Sequence, residues 1–128
     1  MRGFYSDGKP KIELTVTGLD AKIKVSALID TGFDGALMLS LPAALQIGLR
    51  LSNMVQVELA DGSIKKEFVF EAKVVLDEET VPVDVLLTSS DESLVGTALL
   101  QNQSLMIDFK HQTISLDLSP IKMAVDRE

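Results

Sequence analysis

Apolar and polar residues alternate along most of the chain with a period of two, the pattern of β-strands that bury one face. The alternation runs through residues 12–16, pauses at the turn of residues 18–20, and resumes through residues 23–29. These runs predict a β-hairpin whose second strand leads directly into Asp30. The segment that follows Asp30 is rich in Gly and Asp, so it is predicted to be a loop.

A second hairpin is predicted over residues 55–74, with its tip at Asp61-Gly62. Asp-Gly between two alternating runs is a strong signal for a tight turn. The residues after the tip, Lys65 to Glu67, are polar, so we expect the tip to project into solvent. The same alternation predicts further strands at residues 36–39, 81–87, 94–95, 105–109 and 114–118.

Two short helices are predicted between the strands. Ser40 can cap a helix that has Pro42 in its first turn and ends at Gly48. One or two helical turns are predicted over residues 97–103. The fold class is therefore all-β with one or two short helices.

The length of 128 residues corresponds to one domain, predicted over 1–128 with its core at about 11–118 and a polar tail at 119–128. Aromatic residues are only 5% of the chain, so the core must be aliphatic. The net charge of −7 disfavours a nucleic-acid partner, and the absence of Cys excludes disulfides and thiolate metal sites. Without an apolar run typical of a signal peptide or a membrane helix, we expect a soluble cytoplasmic protein with no membrane partner.

The triplet Asp30-Thr31-Gly32 is the strongest candidate for chemistry. An acid placed directly after a buried strand is unfavourable unless it is hydrogen-bonded or functional. Gly32 lets the backbone approach closely, so that its amide can donate to the Asp30 carboxylate, and Thr31 can hydrogen-bond the loop backbone. A loop of this kind holds one carboxylate rigidly at the edge of a sheet.

A second motif supports this interpretation. Residues 94–100 read apolar-apolar-Gly followed by a short helix, and residues 105–109 then read as a strand. Together with the Asp30 triplet, this motif resembles the retroviral-type (retropepsin-like, clan AA) aspartic proteases, and in particular prokaryotic relatives with one such motif per chain. The resemblance covers residues from about 11 to 118. It implies a closed β-barrel forming half of an acid protease, with the hairpin around Asp61 and Gly62 as a flap.

The resemblance also implies a mechanism. Two Asp30 side chains, one from each subunit of a homodimer, would face each other, share one proton and activate a water molecule that attacks a peptide bond. The catalytic residues implied are Asp30, Thr31 and Gly32, with Thr31 bracing the two loops. The substrate-binding residues implied are Phe33, Asp34, Asp61 and Gly62. The substrate is an extended peptide or protein segment, and no cofactor or metal is implied.

Three features depart from the family pattern. Phe33 replaces the usual small residue after the triplet, Thr97 replaces an Arg that would pair with Asp34, and the chain continues into its own hairpin at residues 105–118. These features leave open an alternative, a non-cleaving peptide-binding or structural module that retains the retropepsin fold. Asp34 is equally explained as a solvated loop acid.

Other charged residues are interpreted as surface groups. His111 lies in a polar turn without a candidate partner. The acidic turns at residues 77–79 and 91–92 are expected to be solvated and not to hold a metal.

Overall fold

The computed structural model describes residues 1–118, and the predicted tail at 119–128 lies outside the described residues. The described part of the chain consists mostly of β-strands, with two short helices between them. In chain order they are β1 (Phe4–Ser6), β2 (Lys9–Thr17), β3 (Lys22–Ile29), β4 (Leu37–Ser40), α1 (Leu41–Ile47), β5 (Arg50–Glu58), β6 (Ile64–Leu76), β7 (Glu79–Thr88), β8 (Ser93–Val95), α2 (Thr97–Leu100), β9 (Gln103–Asp108) and β10 (Thr113–Leu118).

Eight strands form one sheet in the order β1-β2-β3-β8-β4-β7-β6-β5, and β2 makes an additional antiparallel pairing with β6. Strands β9 and β10 form a separate two-stranded sheet. The β3–β8 and β4–β7 pairs are parallel, whereas the hairpins are antiparallel. Because β8 lies between β3 and β4, the second half of the chain comes to lie beside the loop that joins β3 to β4.

The core is aliphatic, as the composition predicts. Alternate residues of β2 and β3 point into it, and Ile12, Leu14 and Val16 are completely buried. Burying such side chains stabilises the fold by about 1.5–3 kcal/mol each. The full set of buried apolar residues is Ile12, Leu14, Val16, Val25, Ala27, Ile29, Leu37, Leu39, Ala44, Ile47, Ala72, Val74, Leu76, Val85, Val95, Leu99, Ile114 and Leu116.

The hairpin of β5 and β6 extends beyond this core, and we refer to it as the flap hairpin. Every residue from Arg50 to Lys66 is exposed, in agreement with the prediction that the tip projects into solvent. Large apolar side chains are nevertheless frequent on it. Those that are exposed are Leu51, Met54, Val55, Val57, Leu59, Ile64 and Phe68.

The predicted elements differ from the observed ones in several places. Strand β1 was not predicted, and β5 begins at Arg50 and not at residue 55. Helix α2 ends at Leu100 and not at residue 103, because Gln101 is extended and Asn102 has a positive φ of 65°. The strand predicted over residues 105–109 ends at Asp108, which pairs with Thr113, so Phe109 belongs to the turn and is 73% exposed.

The N-terminus of α1 also differs in detail. Ser40 occupies the N-cap position and Gly48 the C-cap, as predicted, but the Ser40 side chain makes no capping hydrogen bond. Its amide instead donates to the hydroxyl of Ser93 at 3.1 Å. Within residues 1–118, no helix has the length and apolar character needed to cross a membrane.

Candidate active site

Asp30 follows directly on β3, and its position is fixed by the neighbouring parallel strand. Ile29 pairs with Val95 of β8, and the Asp30 amide donates to the Val95 carbonyl at 2.9 Å. The side chain of Asp30 is half-buried. The parallel pairing therefore carries the acidic residue to the edge of the sheet, where one side of it faces solvent.

The carboxylate itself is held by the turn that follows. The Gly32 amide donates to Asp30 Oδ1 at 2.9 Å, which confirms the hydrogen bond expected from the sequence. The Phe33 amide donates to the Asp30 carbonyl at 3.1 Å and closes the turn. Thr31, at the apex, is exposed and makes no side-chain hydrogen bond within residues 1–118. The carboxylate is thus oriented by backbone groups.

The segment after β8 clamps this loop from the opposite side. Three successive amides, of residues 96–98, donate to the carbonyls of Ala36, Phe33 and Gly35 at 3.1, 2.8 and 3.1 Å. The hydroxyl of Thr97 lies 3.4 Å from the same Phe33 carbonyl. The second motif of the sequence therefore supports the acidic loop with backbone hydrogen bonds.

Close packing at Gly96 makes this clamp possible. A Cβ at Gly96 would lie 2.5 Å from both the Phe33 carbonyl oxygen and ring atom Cδ2, and would collide with the Gly35 carbonyl oxygen. Cβ atoms do not approach other atoms this closely, and two of the three obstructing atoms are backbone. Only glycine fits behind the loop.

Asp61 and Gly62 form the tip of the flap hairpin. The turn is closed by hydrogen bonds from the Leu59 amide to the Ser63 carbonyl at 2.8 Å and from the Gly62 amide to the Leu59 carbonyl at 2.9 Å, and Gly62 has a φ of 86°. The Asp61 carboxylate accepts hydrogen bonds from the Ser63 hydroxyl at 2.6 Å and from the Ser63 amide at 2.9 Å, and these bonds hold the pKa of Asp61 below its usual value. Within residues 1–118, no hydrogen bond or ion pair joins the tip to the Asp30 loop.

The chain is similar in fold to several solved structures, among them two retroviral proteases and a retroviral protease-like domain. The chain matches the EIAV protease complexed with the inhibitor HBY-793 (TM-score 0.55, 13% identity, 77% of this chain and 90% of that chain). It matches the simian foamy virus (mac) protease (TM-score 0.54, 17% identity, 70% and 90%). It also matches the retroviral protease-like domain of Ddi1 from Leishmania major (TM-score 0.51, 18% identity, 84% and 88%).

The fold is retropepsin-like. No family model and no curated protein matches the sequence, so the similarity is one of fold. In this fold the loop of residues 30–35 follows β3, residues 96–98 follow β8, and the flap hairpin is formed by β5 and β6. The predicted fold class, mostly β with short helices, is confirmed.

Asp34 lines a groove of about 920 Å³, together with its neighbours Gly35 and Ala36. Residues of β6 and β7 also line this groove. Of the predicted site residues, Asp34 alone is among the residues that line it, and Asp30 is not. Four further carboxylates line it, those of Glu71, Asp77, Glu79 and Asp84.

The sequence analysis did not anticipate this acidic lining. Glu71 of β6 and Asp84 of β7 are directly opposite each other in the antiparallel register. Like charges in such a pair are destabilising. In the sequence, Glu71 and Asp84 each lie between two apolar residues, a pattern typical of a strand with one solvated face. Their proximity becomes visible only from the register of β6 and β7.

Glu92 was interpreted as a solvated acid, and this interpretation was wrong. Its carboxylate pairs with Lys11 at 3.2 Å and with Lys9 at 3.3 Å, so it ties the loop before β8 to β2. The hydrogen bond from Lys11, with a smaller contribution from Lys9, lowers the pKa of Glu92. Within residues 1–118, no group of three or more His, Cys, Asp or Glu side chains is placed to hold a metal ion.

We expect Glu92→Gln to lower stability at neutral pH by less than about 1 kcal/mol, since the Glu92 side chain is 27% exposed. A carboxylate whose pKa is lowered by folding stabilises the protein above its unfolded-state pKa of about 4.3, and this stability is lost as the pH falls through the lower folded value. The difference between the thermal unfolding midpoints of wild type and variant should therefore be larger at pH 7 than at pH 3. Asp91→Asn, at an exposed neighbour, is the control, and an equal gap at both pH values would contradict the assignment.

His111 was expected to have no partner, and this expectation was also wrong. Its ring Nδ1 lies 2.8 Å from Asp108 Oδ2, and the Asp108 carboxylate also accepts the amides of Lys110 and His111 at 3.0 Å each. The hydrogen bond from the His111 ring is the main cause of a lowered pKa at Asp108. His111 is nevertheless exposed, as predicted, and the pair stabilises the turn between β9 and β10.

Proposed function

We propose that this chain is one half of a homodimeric aspartic endopeptidase that hydrolyses extended peptide segments. The observation that carries the proposal is the Asp30 carboxylate, half-buried and held at 2.9 Å by the Gly32 amide in a retropepsin-like fold. The chain contains this Asp-Thr-Gly motif once. A second carboxylate must therefore come from a second copy of the chain.

In the proposed dimer, the two Asp30 carboxylates share one proton. The ionised carboxylate removes a proton from a water molecule, whose oxygen attacks the carbonyl carbon of the peptide bond. The protonated carboxylate donates its proton to the carbonyl oxygen, which gives a neutral diol. The diol then collapses as the amine accepts a proton and leaves, so no covalent bond to the enzyme forms.

Thr31 and Gly32 support the carboxylates in this proposal. The exposed Thr31 hydroxyl, without a partner within residues 1–118, is free to hydrogen-bond the loop of the other subunit. The Gly32 amide fixes one carboxylate oxygen, so the other oxygen is directed toward water and substrate. The Asp30 carboxylate is thus oriented through one oxygen, while its other oxygen stays available for proton transfer.

The substrate would lie between the loop and the flap hairpin. Phe33 and Asp34 border it from the loop, and Asp61 and Gly62 close over it from the tip, which excludes water from the cleavage site. An extended peptide in this position binds through its backbone and places alternate side chains in pockets. The exposed apolar side chains of the flap hairpin favour apolar substrate residues.

Peptidase activity should fall more steeply than in proportion to protein concentration on dilution, because each site needs two chains. A peptide library is incubated with serial dilutions of the protein, cleavage is followed by mass spectrometry, and the oligomeric state is measured by analytical ultracentrifugation at the same concentrations. Specific activity should follow the dimer fraction. Constant specific activity in samples that are wholly monomeric would contradict the dimeric site.

The groove at Asp34 favours one alternative, a module that binds peptides without cleaving them. This groove has a volume of about 920 Å³, and Asp30 is not among the residues that line it. A non-cleaving module would bind library peptides by fluorescence anisotropy and leave all of them intact at every concentration and pH. The dilution experiment therefore separates the two functions.

A further inference from the structure

The side chain of Phe33 packs into its own loop. A Cβ at Gly35 would lie 2.5 Å from ring atom Cζ and 2.8 Å from Cε1 of Phe33, and a Cβ at Gly96 would lie 2.5 Å from Cδ2. The three atoms nearest to that position at Gly35 all belong to the Phe33 ring. The ring therefore lies directly against the backbone of two glycines that come from opposite sides of the site.

Phe33 is hydrogen-bonded both to the turn that carries the carboxylate and to the clamp. Its amide donates to the Asp30 carbonyl at 3.1 Å, and its own carbonyl accepts the Thr97 amide at 2.8 Å. Gly32, between them, donates to the carboxylate. A displacement of Phe33 would therefore change the angle at which the Gly32 amide meets Asp30.

We infer that Phe33 is a positioning residue, whose ring, wedged between Gly35 and Gly96, fixes the turn that orients the Asp30 carboxylate. This inference rests on the proposed function and adds to it. Without the ring, the turn loses its packing contact with the backbone of Gly35 and Gly96. The three hydrogen bonds of the clamp hold the loop only through the carbonyls of Phe33, Gly35 and Ala36, and the ring adds side-chain packing to them.

Gly35 supplies a selective test, because its backbone is outside the left-handed region and an Ala there conflicts only with the Phe33 ring. Four variants are compared with the wild type, namely Phe33→Ala, Phe33→Leu, Gly35→Ala and the double variant Phe33→Ala/Gly35→Ala. The readouts are kcat and KM for a cleaved library peptide, and the hydrogen-exchange rate of the Gly32 amide measured by NMR.

We expect Phe33→Ala to lower kcat by about 10- to 100-fold, the loss typical of a misplaced catalytic group, and to change KM by a smaller factor through the lost border of the substrate site. Phe33→Leu should recover part of this loss. Gly35→Ala should lower kcat when the ring is present, and should have no further effect in the Phe33→Ala background. Gly32 amide exchange should accelerate in Phe33→Ala and slow again in Phe33→Leu.

Two results would overturn the inference. A raised KM with unchanged kcat in Phe33→Ala would mean that the ring contacts substrate and does not position Asp30. Equal effects of Gly35→Ala in both backgrounds would mean that the ring does not press on Gly35. If the wild type cleaves no peptide, the proposed function fails, but the exchange rate of the Gly32 amide still tests whether the Phe33 ring fixes the turn. Unchanged exchange in Phe33→Ala would reject this role of the ring, and accelerated exchange would support it.

Discussion

Asp30→Asn should lower kcat by at least about 10³-fold while the fold stays intact, since general acid–base catalysis by a positioned carboxylate contributes about 10²–10⁴-fold and the change affects both halves of the dimer. Asn is similar in size and still accepts the 2.9 Å hydrogen bond from the Gly32 amide through its side-chain oxygen. It cannot take up the proton of the attacking water. Initial rates on a cleaved peptide and the thermal unfolding midpoint are measured together.

A mixing experiment shows whether both carboxylates act in one site. When equal amounts of wild type and Asp30→Asn are unfolded together and refolded, about a quarter of the dimers contain two wild-type chains. If each site needs both carboxylates, activity should fall to that fraction of the wild-type value. Activity near one half would mean that each chain works independently.

The control for this experiment is Asp20→Asn, which makes the same chemical change at an exposed residue in the turn between β2 and β3. It should retain full activity and leave the activity of a wild-type mixture unchanged. Comparable turnover in Asp30→Asn and Asp20→Asn would reject Asp30 as the catalytic residue.

Gly96→Ala should destabilise the protein by about 3 kcal/mol, the upper end of the usual cost of overpacking. The added methyl group would meet the carbonyl oxygens of Gly35 and Phe33, and backbone atoms cannot move aside as a flexible side chain does. Both carbonyls accept hydrogen bonds from residues 97 and 98, so relief of the collision also weakens the clamp. Urea unfolding followed by circular dichroism gives the free energy of unfolding.

Gly32→Ala is the matched variant, since it adds the same methyl group to the same loop. There the nearest atom is Oδ1 of Asp30 at 3.2 Å, at the end of a side chain that can adjust. We expect a much smaller loss of stability than at Gly96. Equal losses of stability at Gly32 and Gly96 would show that the short distances from Gly96 to the loop backbone are not the cause of the destabilisation.

Much of the fold could be predicted from the sequence because the strands alternate regularly. The hairpins of β2–β3, β5–β6 and β9–β10 follow from their patterns and turns. Strand β1 spans only Phe4–Ser6, too short for an alternation to be visible, and it exists because it pairs with residues 9–11. The early end of α2 coincides with Asn102, whose positive φ is typical of an Asn that ends a helix, and the sequence analysis did not use this signal.

The site was predictable where its contacts are local. The hydrogen bond from Gly32 to Asp30 follows from their spacing, and the pair of Asp108 and His111, three residues apart in a turn, could have been found in the same way. The packing of Phe33 against Gly96 depends on segments that are distant in sequence. The residue types alone do not indicate such long-range contacts, which can be inferred only once the order of the strands in the sheet is known.

The parallel pairing of β3 with β8 has a consequence for how the protein is made. During synthesis from the N-terminus, β2 and β3 can form their hairpin early, but the strand that supports Asp30 emerges only after the flap hairpin and β7 have been completed. Contacts between such distant segments form slowly, because the intervening chain must first be ordered. The acidic loop is therefore among the last parts of the nascent chain to take shape. A nascent chain that stops short of Val95 carries the acidic triplet but lacks the strand that supports it, so the Asp30 carboxylate is not held in place until β8 has been made.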